Sequence, residues 1–175
     1  MRVSHRSLTL ASALLLGGAL AATPAMAQGR PLELRVDMFS FETSDGNTSI
    51  DLEFPGSLAF AWYLTPQFAI EPRASFSNVS NDNVDGSLYG IGVFLPFYLM
   101  ADEGRSGFFV APGVEMTGGT GDFDFDAQFN YGLDAGIKWP FRDRISGRIA
   151  ATVRDGDSYG DPAFGAVFGI GFHWR

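Results

Sequence analysis

From Leu32 onward the chain repeats a two-residue rhythm in which apolar and charged side chains keep to opposite phases. Leu32, Leu34, Val36 and Met38 alternate with Glu33, Arg35 and Asp37, and Ile50, Leu52, Phe54, Leu58, Phe60 and Trp62 continue the apolar phase opposite Asp51 and Glu53. A period of two is the mark of a β-strand with one greasy and one polar face, and some of these runs are longer than an ordinary globular strand. The same pattern fits a soluble barrel with grease inside or a membrane barrel with grease outside. Which face points outward decides what the protein is.

Eight strand candidates repeat the rhythm: Leu32–Phe41, Ser49–Leu64, Phe68–Phe76, Ser87–Met100, Gly107–Met116, Phe125–Trp139, Ile145–Arg154 and Ala163–Trp174. Four connections are acidic and rich in Gly, Asn and Ser: Glu42–Thr48, Asn78–Gly86, Thr117–Asp124 and Gly156–Pro162. Those between them, Thr65–Gln67, Ala101–Ser106 and Pro140–Arg144, are mostly tighter. An up-and-down meander with different connections at its two ends accounts for this alternation. The fold expected is all-β, an eight-stranded antiparallel up-and-down transmembrane β-barrel. No helical period competes.

Residues 1–27 read as a secretory signal peptide, leaving 28–175 as one barrel domain. Arg2, His5 and Arg6 form a basic start, Leu8–Ala22 an apolar stretch, and Ala25-Met26-Ala27 a small-x-small cleavage site. Of the 12 Lys and Arg residues, loss of Arg2 and Arg6 leaves ten against 20 acidic residues, a balance of −10. Such a surface repels nucleic acid. The chain has no cysteine, so neither disulfides nor a thiolate metal site can hold an exported fold together, whereas a closed hydrogen-bonded barrel can.

The phase opposite the aromatics contains Glu33, Asp37, Asp51, Glu53, Glu71, Glu115 and Asp134 with Arg35, Arg73, Lys138, Arg148 and Arg154. Isolated charges in a dry core cost several kcal/mol each, so this lining requires mutual pairing. Trp62, Tyr63, Trp139 and Trp174 fall near strand ends opposite the acidic connections, where amphipathic rings suit a headgroup level.

With these features and the terminal stretch Phe168-Gly169-Ile170-Gly171-Phe172-His173-Trp174, the chain resembles the small outer-membrane β-barrels of Gram-negative bacteria, the family of outer membrane protein X and the membrane domain of outer membrane protein A. The resemblance covers Leu32–Trp174. It implies a bacterial outer-membrane location, outer-membrane lipid and lipopolysaccharide as surroundings, a monomer, and insertion by the barrel-assembly machinery. Gly169, Phe172 and Trp174 would then be the assembly signal. The family usually ends on the aromatic itself, and here Arg175 follows.

Some barrels of that class act on lipid A, but His173 is the only histidine after the leader, and it carries no His-x-Ser pattern. The segment Asp155–Asp161 is only a partial calcium loop, with Tyr159 at the third ligand position and no bidentate Glu beyond. Neither catalytic residues, a cofactor nor a metal is expected. About eight strands leave an interior that side chains can fill, and Gly90, Gly92, Gly113, Gly132, Gly136, Gly165, Gly169 and Gly171 relieve crowding there. The function expected is structural, adhesive or envelope-maintaining, with short acidic loops displayed outside. The alternatives are a soluble periplasmic barrel or sandwich binding an apolar ligand, or a narrow ion-conducting barrel.

Overall fold

The computed structural model describes residues 32–44, 47–51, 57–80, 85–99, 106–122, 125–157 and 161–174. The proposed leader and Glu53 lie outside these residues, as does the side chain of Asp51. Ten strand segments follow in order: β1 (Leu32–Ser44), β2 (Asn47–Asp51), β3 (Ser57–Thr65), β4 (Phe68–Ser80), β5 (Asp85–Phe94), β6 (Phe97–Leu99), β7 (Gly107–Gly121), β8 (Phe125–Arg142), β9 (Ile145–Gly156) and β10 (Ala163–Trp174). Every pairing is antiparallel, and β10 returns to pair with β1 from Leu32↔Trp174 to Thr43↔Phe164. The sheet is therefore closed. No helix occurs among the described residues.

Ten segments make eight staves, because β2 and β3 lie one after the other along β1, and β5 and β6 share a place between β4 and β7. Proline causes the second break. Pro96 has no N–H to give a ladder, so regular pairing stops between Phe94 and Phe97. Single bonds carry the stave across: Leu95 N–H donates to Pro112 O at 2.8 Å, and Ala69 N–H to Pro96 O at 3.1 Å.

Strands run further than the sequence pattern indicates, since Glu42–Ser44, Asn78–Ser80, Thr117–Gly121 and Gly156 are all paired. The acidic connections are short hairpin tips. One device ties neighbouring staves together at this end, β5 to β7 and β8 to β9. Asp122 N–H donates to Asp85 O at 3.0 Å while its Oδ2 accepts from Asp85 N–H at 2.7 Å. Asp157 does the same to Phe129, at 3.0 and 3.3 Å. Each follows a glycine with positive φ, Gly121 at 73° and Gly156 at 137°, where a side chain would be strained.

A register shift between Asp37 and Phe39 adds one residue to β1. It re-phases the strand. Phe39 and Phe41 pair with outward Phe168 and Ala166, while Ser40 and Glu42 turn inward. Glu42, read as a loop residue, thus lines the interior.

Candidate functional site

The barrel interior is stacked in polar layers whose members come from strands far apart in sequence. Beside the chain ends, the Glu33 carboxylate accepts from Tyr63 Oη at 2.7 Å and from Lys138 Nζ. Lys138 also donates to Tyr63 Oη at 2.8 Å, and the Tyr98 hydroxyl lies 3.2 Å from that of Tyr63. Ser146 Oγ is 3.5 Å from Glu33 Oε1 and 3.0 Å from His173 Nε2.

Further along the axis, Glu71 is the hub. It accepts from Arg35 Nη1 at 2.5 Å, Arg73 Nε at 2.7 Å and Arg148 Nη1 at 3.3 Å. Arg35 Nε donates to Asp37 Oδ1 at 2.8 Å, and Ser57 Oγ donates to the other oxygen at 2.7 Å. Asp134 pairs with Arg148 at 3.0 Å and with Arg73 and Arg154 at 2.7 Å each. Glu115 stands apart, 3.8 Å from Arg154. Five carboxylates and five cations therefore neutralise one another inside a closed wall. Desolvation that would expel a lone charge is offset by these contacts.

Aromatic rings share the interior. Tyr63, placed by its sequence position in the outer belt, points inward, as do Phe94, Tyr98 and Phe109, all buried. A signal existed in the strict even phase of Phe94, Pro96 and Tyr98 after the inward Gly90 and Gly92. Their role is to stack under cations: Arg73 lies 3.6 Å over the Phe94 ring and Arg148 4.0 Å over Phe109.

Inward glycines are filled by neighbours. A Cβ at Gly132 would lie 2.7 Å from Arg154 Cδ, while one at Gly113 would collide with the Phe94 ring and one at Gly171 with the Glu33 carboxylate. The section holding Arg35, Tyr63, Glu71, Tyr98, Phe109 and Arg148 is thus occupied by side chains. Toward the hairpin tips the lumen widens into a cavity of about 140 Å³ lined by Glu42, Ser57, Arg73, Glu115, Thr152 and Arg154 among others.

The outer wall is the reverse. Along β8 the outward residues are Phe129, Tyr131, Leu133, Ala135, Ile137 and Trp139, with Asn130, Asp134 and Lys138 buried between them. Near the hairpin tips, Tyr131 Oη donates to the outward carboxylate of Asp155 at 2.8 Å. At the other end, Trp139 meets Phe141 edge-on at 5.7 Å, Phe68 pairs with Phe97 at 4.8 Å, and Leu32 sits between Trp62 and Trp174 in register. The eight-residue span from Tyr131 to Trp139 rises about 26 Å along the strand and about 20 Å along the axis at a tilt of about 40°, close to the apolar band of a membrane barrel.

No protein-family model matches the sequence, and no curated protein matches it either. Solved structures do match by shape. Neisserial surface protein A superposes with a TM-score of 0.57 at 7% identity, covering 81% of this chain and 95% of that one. Outer membrane protein OprG of Pseudomonas aeruginosa gives 0.53 at 12%, covering 83% and 97%. The N-terminal β-barrel domain of Pseudomonas aeruginosa OprF gives 0.51 at 13%, covering 83% and 98%. The fold is that of the small eight-stranded outer-membrane β-barrels. At such identities the likeness concerns the fold alone.

Within this outer-membrane-type barrel, Gly169 faces inward beneath the Asp37 carboxylate and Arg35, and Phe172 and Trp174 face outward on the seam strand. His173 is buried in the lumen layer of Glu33 and Ser146. The carboxylates of Asp155 and Asp157 are engaged by protein donors: Tyr131 Oη and Gly156 N–H for the first, Phe129 N–H for the second. Among the described residues no group of three or more His, Asp or Glu is arranged to hold a metal ion.

Proposed function

We propose that this chain is an exported, monomeric outer-membrane barrel with a structural or adhesive role, inserted with its hairpin tips outside the cell. One observation carries the reading. Phe108 is 62% exposed, Leu99 60% and Phe164 56%, while Arg35 is 1% and Asp134 0% exposed. Water would favour the opposite arrangement, and only acyl chains make such a surface stable. A soluble carrier of an apolar ligand needs an apolar interior, and this one is ionic.

In this reading residues 1–27 are removed on export, and Gly169, Phe172 and Trp174 present the last strand to the barrel-assembly machinery. Lipid and lipopolysaccharide surround the wall. The barrel is a non-enzymatic scaffold for its acidic tips, and the filled section at Arg35, Glu71 and Arg148 seals it against ions.

The test is reconstitution. Folded protein should enter lipid vesicles, resist alkaline extraction, run anomalously on gels until boiled, and give a flat baseline in planar bilayers. Recovery of folded protein in detergent-free buffer would overturn the membrane reading, and steady unit conductance would overturn the sealed lumen.

A further inference from the structure

Outside the lumen, the basic residues that follow the leader belong to the chain termini and to one set of connections. Apart from Arg2, Arg6 and the five lumen cations, the basic residues are Arg30, Arg105, Arg142, Arg144 and Arg175. Arg30 precedes β1 and Arg175 follows β10; Arg105 lies between β6 and β7, and Arg142 and Arg144 belong to the β8–β9 turn. The same connections also carry Asp102, Glu103 and Asp143; the described one, the β8–β9 turn, lies at the end where β1 begins and β10 finishes. The other connections carry Asp45, Asp82, Asp122, Asp124, Asp157 and Asp161 and not one Lys or Arg.

The β8–β9 turn is built as a ledge. Trp139 pairs with Gly147, whose missing Cβ would lie 2.7 Å from the indole and 2.8 Å from Phe141, so both rings lie close against the outer wall. A register shift between Pro140 and Arg142 brings Phe141 beside Trp139, and Phe168 lies 6.4 Å from the indole on the next stave but one. Directly beyond this aromatic shelf, Arg142 and Arg144 are exposed, and neither forms an ion pair among the described residues. Asp143 between them is also exposed, leaving the turn with one net positive charge.

We infer that the Trp139–Arg144 turn is a headgroup clamp for anionic phospholipid in the leaflet at the chain-terminal end of the barrel. The rings fix the depth of the acyl-glycerol boundary, where amphipathic aromatics settle. The guanidinium groups then stand at phosphate level, and their planar donor forks suit phosphate oxygens. An anionic lipid is favoured over a zwitterionic one because the latter's ammonium offsets its phosphate. The inference rests on membrane insertion as proposed above.

The test uses the full barrel carrying Trp62→Phe and Trp174→Phe, so that Trp139 alone fluoresces, in phosphatidylcholine vesicles. A fixed small fraction of brominated phosphatidylglycerol should quench Trp139 about fivefold more per molecule than the same fraction of brominated phosphatidylcholine, the enrichment that about one net surface charge gives. High salt should reduce the difference, and Arg142→Gln with Arg144→Gln should abolish it. Equal quenching by the two lipids in the parent, or a preference that survives both substitutions, would overturn the clamp with insertion intact. Absence of quenching by either lipid would overturn insertion itself.

Discussion

Phe94 and Gly113 face each other in the β5–β7 ladder, and the Phe94 ring occupies the space that a Cβ at 113 would fill. Because Arg73 lies 3.6 Å over the same ring, the glycine indirectly sets the height of one arm of the Glu71 and Asp134 cluster. Gly113→Ala should therefore overpack the lumen and cost about 1–3 kcal/mol of unfolding free energy, measured by denaturant titration in lipid vesicles. Adding Phe94→Leu should recover most of the loss. A Gly113→Ala barrel as stable as the parent would show that the ring moves freely.

Glu71 holds three arginines together, so its removal leaves charge buried without compensation. Glu71→Ala should cost about 3–5 kcal/mol in the same titration. Glu115, at 3.8 Å from Arg154 and more exposed, is the contrast: Glu115→Ala should cost less than about 1 kcal/mol. Similar losses at both sites would mean that the lumen is wetter than its packing indicates.

The paired bonds of Asp122 and Asp157 act locally. Asp122→Ala should speed hydrogen exchange at the Asp85 amide and leave Phe129 unchanged; Asp157→Ala should do the reverse. Each should lower global stability by about 1 kcal/mol. Equal protection in parent and variants would remove the aspartates' role in tying these neighbouring staves together.

Ala135 lies outward midway between Tyr131 and Trp139, whereas Ala127 lies beyond Tyr131 toward the tips. An arginine at 135 would enter the apolar band and should cost about 2–4 kcal/mol, and one at 127 about 0–1 kcal/mol. Refolding yields and unfolding midpoints in vesicles of one lipid thickness check the pair.

Alternation along β8, where Tyr131, Leu133 and Ile137 flank Asp134 and Lys138, fixes two opposite faces but fits either one outward; the leader-like residues 1–27 and the aromatics near strand ends are what made the inversion legible. Tyr63 shares the phase of Asp51 and Glu53, opposite Trp62, so the alternation puts it inside; only its residue type and its place near a strand end suggest the belt. Inside, it meets Glu33 from the neighbouring stave β1 and Lys138 from β8 across the lumen. Glu42 was missed for a different reason. The extra residue in β1 shifts the phase after Asp37, and a bulge leaves no mark in a simple alternation. The short tips were hidden because Gly, Asn and Asp, which usually signal loops, here continue as paired strand: Gly118, Gly119 and Gly121 lie beside Tyr89, Leu88 and Gly86, with no side chains to crowd them.

The most direct measurement is a nitroxide scan of residues 131–138 on β8 in vesicles, reading collision with oxygen dissolved in lipid and with a water-soluble nickel complex. Oxygen contact should rise at 131, 133, 135 and 137 and fall at 132, 134, 136 and 138, with little nickel contact at the central outward positions. Strong nickel contact at 133 and 135, or lipid contact at 134, would contradict a barrel that turns its grease to the membrane and its charges to itself.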